Sequence, residues 1–180
     1  MRRRSILLAV AVLAAGLLVA SLAGASGGKK NLKADELTGY QENPDISTVA
    51  TGSFEISIDD DAREFTYTLS FSGLEGTVLQ SHIHFGKRAV NGGVTLFLCG
   101  TASNPGPAGT PTCPAAPGGT VTRTVGAADV LAPGTQGIEA GNFEELAAAL
   151  REGHTYVNVH STKWTGGEIR AQINDRANNN

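Results

Sequence analysis

Apolar and polar residues alternate with a period of two over much of the chain. The clearest case is a pair of runs, separated by a polar segment at 59–63, whose alternate positions are apolar: Phe54, Ile56, Ile58, Phe65, Tyr67, Leu69 and Phe71. Successive side chains of a strand point to opposite faces, so this period predicts strands that bury one face. Two such runs around a short polar break predict an antiparallel hairpin.

Five more segments have strand-like patterns and are bounded by turn-forming residues. They lie at 78–85, 94–99, 120–125, 154–161 and 168–173. Together with the hairpin they give seven or eight short strands at regular spacing. This pattern predicts an all-β fold, an antiparallel immunoglobulin-like β-sandwich or barrel.

One segment has the period of a helix instead. Asn142 is an N-cap candidate with Glu145 three residues on, which is a capping-box arrangement. The apolar stripe at helical spacing comprises Phe143, Leu146 and Leu150. Gly153 is a typical C-terminal stop. These residues predict one short helix that covers an end of the sheet structure.

The first 25 residues have the composition of a signal peptide. Arg2, Arg3 and Arg4 precede an apolar run at 6–22, and Ala-Gly-Ala at 23–25 is a small-residue cleavage signal. The alternative is an uncleaved anchor, because this apolar run is close to the shortest that spans a bilayer. The sequence therefore predicts a secreted or cell-envelope protein that contacts the membrane only if this segment is retained.

The remaining chain divides into a linker at 26–35, one domain at 36–175 and a disordered tail at 176–180. A span of about 140 residues is the size of a single domain with its own core. The 180-residue chain has a formal net charge of −3, and its domain carries no run of lysine or arginine. This composition argues against a nucleic-acid-binding surface.

The two cysteines, Cys99 and Cys113, predict a disulfide bond, because an exported protein folds in an oxidising compartment. The bond would staple the base of the segment at 99–119, which holds five of the seven prolines. Free thiols are the alternative. Metal ligation by the pair lacks the CxxC spacing that usually accompanies it.

The stretch with the most chemical character is Gln-Ser-His-Ile-His-Phe-Gly at 80–86, which holds two of the four histidines. On a strand, His82 and His84 share one face, opposite two apolar residues. His160 ends a second strand-like run, Thr-Tyr-Val-Asn-Val-His. Whether the two strands bring three imidazoles together is the main functional question that the sequence raises.

Four segments carry a family resemblance: LTGYQENPDISTVATGSF at 37–54, FTYTLSFSGLEG at 65–76, SHIHFGKRAVNGGVTLFLC at 81–99 and LREGHTYVNVHSTKWTGGEIRAQI at 150–173. In this order they resemble the CHRD domain, a module named after chordin and also found singly in exported bacterial proteins. The C-terminal signature of that family is Gly-Glu-Ile/Leu-Arg-x-Gln-apolar. Its fixed positions fall on Gly167, Glu168, Arg170 and Gln172.

The resemblance implies an immunoglobulin-like β fold with a distant likeness to copper/zinc superoxide dismutases. It implies no general enzymatic activity, and the growth-factor binding of chordin does not transfer to a single short domain. We therefore expect a non-enzymatic binding or structural module of the cell envelope or medium. Its partner would be an extracellular protein or a small ligand.

The alternative function is a mononuclear metal protein. His82, His84 and His160 could bind one copper or zinc ion, for which imidazole is a common ligand, and His154 is a possible fourth ligand. The dismutase likeness implies a similar arrangement of a His-x-His strand and a later histidine. Four histidines are too few for a two-metal site, so such a protein would be at most weakly redox-active. The competing interpretation makes these histidines structural or exposed polar residues on a solvent-facing sheet surface.

The signature residues Glu168, Arg170 and Gln172 alternate with apolar residues, so we expect them to point outward. A structural role is favoured, as a cross-strand ion pair or as a contact that fixes the turn at 165–167. In the alternative, Glu168 or Arg170 orients a histidine on the strand face. The sequence contains no Ser-His-Asp spacing, phosphate-binding loop or paired-carboxylate motif.

Overall fold

The computed structural model describes residues 28–34 and 36–174, and within these the chain forms nine β-strands and one α-helix. The elements are, in chain order, β1 (Lys30–Lys33), β2 (Leu37–Thr38), β3 (Thr51–Asp59), β4 (Glu64–Ser72), β5 (Val78–Phe85), β6 (Gly93–Cys99), β7 (Gly119–Gly126), α1 (Phe143–Arg151), β8 (Thr155–Ser161) and β9 (Ile169–Ile173). The predicted leader at 1–25 and tail at 176–180 lie outside the described residues. Within the described part, no helix is both apolar enough and long enough to cross a membrane.

All nine strands belong to one antiparallel sheet that curls into a nearly closed barrel. The order is β6-β5-β8-β9-β2-β3-β4-β7, and β1 pairs with β3 beside β2. The end strands β6 and β7 approach each other. A buried hydrogen bond also joins β4 to β6, from the Tyr67 hydroxyl to the Leu98 carbonyl at 2.6 Å. The predicted all-β fold is confirmed, with the sheet forming a barrel.

The predicted hairpin is β3 and β4, and its apolar residues fill the barrel. Phe54 pairs with Leu69 and Ile58 pairs with Phe65, and all four side chains are buried. The opposite half of the barrel contributes alternate residues of β5, β8 and β9 to the same core: Ile83, Val157, Val159, Ile169, Ala171 and Ile173. The period of two therefore identified the inner face of the barrel correctly.

Helix α1 begins and ends where the sequence predicts. The Asn142 side chain accepts a 3.2 Å hydrogen bond from the Glu145 backbone N–H, and Gly153 has φ +70°, the left-handed conformation of a helix stop. The Glu145 carboxylate accepts from the backbone N–H of Glu139, which lies before the cap. The predicted stripe is fully buried, with the Phe143 ring 4.5 Å from that of Phe65.

The segment predicted as a linker at 26–35 contains strand β1. Leu32 is 3% exposed and pairs with Ile56 of β3, while the other three residues of β1 are exposed. One apolar position among lysines gives too weak a pattern to predict a strand. The backbone hydrogen bonds that β3 offers at this edge stabilise the pairing. The folded part therefore begins earlier than predicted.

The predicted disulfide between Cys99 and Cys113 is present. It joins the end of β6 to the segment that leads to β7. Two backbone hydrogen bonds lie beside it, from Gly100 N to Pro111 O and from Cys113 N to Gly100 O. The bond therefore anchors the base of the connection between the two end strands of the barrel.

We expect replacement of both cysteines by alanine to lower the free energy of unfolding. The crosslink closes a loop with a sequence separation of 14, and restricting such a loop in the unfolded chain contributes about 3 kcal/mol. Urea denaturation of the oxidised parent and of the double variant measures the difference. Equal midpoints would contradict a stabilising role, and reduction of the parent should reproduce the effect of the double variant.

Candidate metal centre

The three histidines predicted as metal ligands meet on the neighbouring strands β5 and β8. His82 lies opposite Asn158, and His84 lies opposite Tyr156. His160 is two residues beyond Asn158 and therefore shares its face. The other face of both strands packs in the hydrophobic core. Strand pairing thus brings the imidazoles together on the outer face of the sheet.

This outer face is buried, so the expectation of a solvent-facing surface is wrong. His82, His84 and His160 are 2%, 9% and 6% exposed. The signature residues that we expected to point outward, Glu168, Arg170 and Gln172, are 0%, 2% and 3% exposed. Loops at 39–50 and 86–92 fold over this part of the barrel, and their hydrogen bonds with the strand side chains hold them there.

Each buried signature side chain binds a covering loop. Glu168 accepts hydrogen bonds from the Thr48 hydroxyl and the Glu75 backbone N–H. Gln172 donates to the carbonyls of Gly86 and Gly153. These contacts tie the outer surface of β9, and Glu168 directly before it, to the loops at 39–50, 73–77 and 86–92 and to the end of α1.

Arg170 is the central contact of the loop at 86–92. Its guanidinium donates to the carbonyls of Lys87 and Val90 at 3.1 and 3.0 Å, and to the Asn91 side chain at 3.3 Å. It also lies 3.3 Å from the centroid of the Tyr156 ring, and that ring stacks on His84 with centroids 4.7 Å apart. Arg170 therefore holds the loop next to one of the histidines.

Two histidines are oriented by backbone carbonyls. His84 Nδ1 lies 2.9 Å from the Gly92 carbonyl, and His160 Nδ1 lies 3.0 Å from the Thr165 carbonyl. A carbonyl oxygen only accepts, so each Nδ1 carries the proton and each Nε2 of the neutral ring presents a lone pair. Both Nε2 atoms point toward the Asn158 side chain, at 3.1 and 3.0 Å from its Oδ1.

His82 differs from its neighbours. Neither of its ring nitrogens has a hydrogen-bond partner among the described residues, although both atoms are buried. Its ring is 5.4 Å from that of His84, 5.0 Å from that of His160 and 4.4 Å from that of Phe97. A buried polar atom without a partner is costly, so an orphaned imidazole is a feature to explain.

The environment keeps all three rings neutral. Burial, together with the neighbouring His160 and His84, lowers the pKa of His82 to about 2. Burial also lowers the pKa of His160 to about 4, although its hydrogen bond to Thr165 opposes the shift. Burial lowers the pKa of His84 in the same way. Neutral imidazole is the form that binds metal ions.

The geometry of the cluster fits a single metal ion. One nitrogen from each of His82, His84 and His160 can be chosen so that all three lie within 4.8 Å of one another. Such atoms share a point no more than about 2.8 Å from each, whereas zinc–imidazole bonds are about 2.0–2.1 Å long. Movement of each nitrogen by less than ~1 Å would therefore bring all three to bonding distance from one ion. Donation of Nδ1–H to a backbone carbonyl is also typical of ligating histidines.

His154, the possible fourth ligand, is not part of this group. It is exposed at the start of β8 and lines a surface cleft with Phe85 and Gln136. His160 lies on the buried face six residues further along the strand. His154 is therefore too far along the chain from His160 to join the cluster, as its position in the sequence implied.

A family model described as the CHRD domain matches residues 34–173. The chain belongs to the CHRD domain family. CHRD domains are found in extracellular proteins, and membership supports a binding or structural module. No curated protein and no solved structure matches the chain.

Sequence reasoning missed two residues of the site in this CHRD domain. Asn158 lies between the histidines, and its position two residues before His160 places it on the same strand face, a signal that was available. Glu42 comes from the loop at 39–50, and burial raises its pKa to about 7, although the nearby Arg170 opposes the shift. A carboxylate that reaches the site from a loop 116 positions away from Asn158 leaves no local pattern.

We expect the chelator-treated protein to lose stability as the pH falls below about 6.5, the pKa of an unfolded histidine. A lowered native pKa means that the unfolded chain binds more protons over this range, so acid favours unfolding. The raised pKa of Glu42 acts in the opposite direction between about pH 7 and 4.5. Three histidines with lowered pKa values outweigh this one carboxyl group, so the net effect of acid is to destabilise the fold.

The variant His82→Leu tests this expectation, since it removes one titrating ring that makes no hydrogen bond within the described part of the chain. Between pH 5.5 and 4 the slope of unfolding free energy against pH should be shallower by ~1.4 kcal/mol per unit, the value for one proton. Denaturant unfolding at several pH values provides the measurement. Phe97→Leu, a packing change next to His82, is the control and should retain the parent slope. Equal slopes in parent and His82→Leu would be incompatible with a buried neutral His82.

Proposed function

We propose that this CHRD domain is an exported binding module of the cell envelope or medium, and that its binding site is the histidine cluster of His82, His84 and His160. The ligand is one copper or zinc ion. The observation that carries the proposal is the convergence of three buried, neutral imidazoles, one of which has no other partner among the described residues.

The chemistry of the ligand set favours these two metals. Imidazole nitrogen binds zinc and copper well, whereas magnesium and calcium prefer oxygen ligands. The backbone carbonyls of Gly92 and Thr165 fix two rings with Nε2 toward the cluster. Because a ligating histidine must be neutral, the lowered pKa values also keep the site competent in mildly acidic surroundings.

A second candidate function is purely structural, and the position of Asn158 favours it. An amide turned so that Nδ2 faces the histidines would donate one hydrogen bond to each Nε2 lone pair. The cluster would then be a hydrogen-bonded network that joins β5 and β8, and the module would bind its partner elsewhere. This candidate leaves the imidazole of His82 without a role.

Calorimetric titration of the chelator-treated domain with zinc and with copper separates the two candidates. We expect one ion per chain for the parent, and binding at least 100-fold weaker for His82→Leu and His160→Leu, since each removes one of three imidazoles. His154→Gln is the matched control, because it removes a histidine outside the cluster, and it should bind as the parent does.

Two results would contradict the metal site. Parent protein that takes up neither ion would leave the structural candidate. Equal binding by the parent and His82→Leu would place the ion at some other site. Denaturant unfolding of each variant must accompany the titration, so that weaker binding is not confused with loss of the fold.

Export is the second part of the proposal, and the N-terminal composition supports it. We expect the protein recovered from the medium or envelope to begin near Ser26, after the Ala-Gly-Ala signal at 23–25. N-terminal sequencing or intact mass measures this. Recovery of the chain with Met1 still attached would indicate an anchor, and recovery only from the cytoplasm would argue against export.

A further inference from the structure

Asn158 occupies the centre of the histidine cluster. It lies opposite His82 in the pairing of β5 with β8 and is 3% exposed. Its Oδ1 is 3.1 Å from His84 Nε2 and 3.0 Å from His160 Nε2. A tetrahedron with bonds of about 2.0–2.1 Å has edges of about 3.3 Å. Both nitrogen–oxygen distances are therefore close to the edge of a tetrahedral site.

Each of these three atoms presents a lone pair at the cluster. The carbonyls of Gly92 and Thr165 accept hydrogen bonds from the Nδ1–H groups of His84 and His160, so both Nε2 atoms present lone pairs. An amide oxygen has only lone pairs to offer. Three electron-pair donors at hydrogen-bond distance repel each other unless a positive centre lies among them. This is the arrangement of a coordination site.

Glu42 determines which end of the amide faces the histidines. Its carboxyl group lies next to the Asn158 side chain, which acts against the burial that raises the pKa of Glu42. Glu42 Oε1 and Asn158 Nδ2 both border Gly167, and a carboxyl oxygen accepts from an amide N–H, so this placement favours Nδ2 toward Glu42 and Oδ1 toward the cluster. The buried carboxylate thus holds the amide in the orientation that a metal ion requires.

Gly167 provides the space for this contact. A Cβ at that position would lie 2.2 Å from Glu42 Oε1 and 2.9 Å from Asn158 Nδ2, and the residue has φ +131°, which side chains rarely adopt. The glycine of the family signature therefore leaves the space in which Glu42 and Asn158 come together. A side chain there would push the carboxylate away from the amide.

We propose that Asn158 Oδ1 is the fourth ligand of the metal ion bound by His82, His84 and His160, and that Glu42 is the residue that positions it. The inference rests on the proposed function of the site. Four protein ligands leave no coordination position open to a substrate, and such closed sites hold a metal rather than catalyse with it. The domain is then a metal-holding module, with zinc or copper in a site of three nitrogens and one oxygen.

The first test uses the parent protein. Zinc is added to chelator-treated domain labelled with ¹³C and ¹⁵N, and the side-chain carbonyl carbon of Asn158 is followed by nuclear magnetic resonance together with the histidine rings. We expect that carbon and all three rings to shift together at one equivalent of zinc. Ring shifts with an unmoved Asn158 carbonyl would overturn the inference and leave the proposed function intact.

Variants provide the second test. Asn158→Leu should bind zinc at least 10-fold more weakly, whereas Asn158→Asp retains an oxygen ligand and should bind measurably better than the leucine variant. The cobalt-loaded protein should show the intense visible absorption of four-coordinate cobalt, and Asn158→Leu should lose intensity as water enters. Asn31→Leu, on the exposed side of β1, is the control.

Glu42 is tested by a pair of replacements. Glu42→Gln retains an oxygen that accepts from Asn158 Nδ2 and should keep the parent cobalt spectrum, while Glu42→Leu should change it. Parent affinity and spectrum in both Asn158→Leu and Glu42→Leu would overturn the inference. A parent protein that binds no metal would end the proposed function as well. If Asn158→Leu does not fold, the resonance shifts of the parent decide.

Discussion

The structure depends on the burial of polar groups on the outer face of one half of the barrel. Strands β5, β8 and β9 present histidine, asparagine, glutamate, arginine and glutamine there, and loops cover them. A buried donor or acceptor that loses its partner costs about 1–3 kcal/mol, so these side chains meet complementary groups, except for His82, whose ring nitrogens have none among the described residues. The loops supply these groups mainly as backbone carbonyls and N–H groups. The loop conformation and the strand side chains therefore specify each other.

This mutual constraint explains how the histidine cluster is oriented. Arg170 fixes the loop at 86–92 through the Lys87 and Val90 carbonyls, and the Gly92 carbonyl of that loop fixes the ring of His84. The signature arginine thus affects the ring of His84 indirectly, through the loop at 86–92. The hypothesis that Arg170 or Glu168 orients a histidine stays a prediction, and this indirect route through Arg170 is the contact that supports it.

The strands with alternating patterns, the hairpin, the helix and the disulfide could all be predicted, because each depends on local periodicity or on a single pair of residues. The histidines could be predicted as a set because strand alternation places His82 and His84 on one face. Their burial could not. A polar face reads as solvent-exposed unless the loops above it are known, and the covering residues, such as Glu42, are far away in the chain. Strand β1 was missed because only Leu32 marks it.

The two Nδ1 contacts of the cluster have a consequence for how this site can change over evolutionary time. Gly92 and Thr165 contribute carbonyl oxygens, and every amino acid carries one. Substitutions at Thr165 that preserve the path of the main chain therefore leave the ring orientation of His160 unaltered. Insertions and deletions in either loop would move the carbonyls and misalign the rings. Homologous domains that keep the histidines should accordingly vary more in the composition of these loops than in their length.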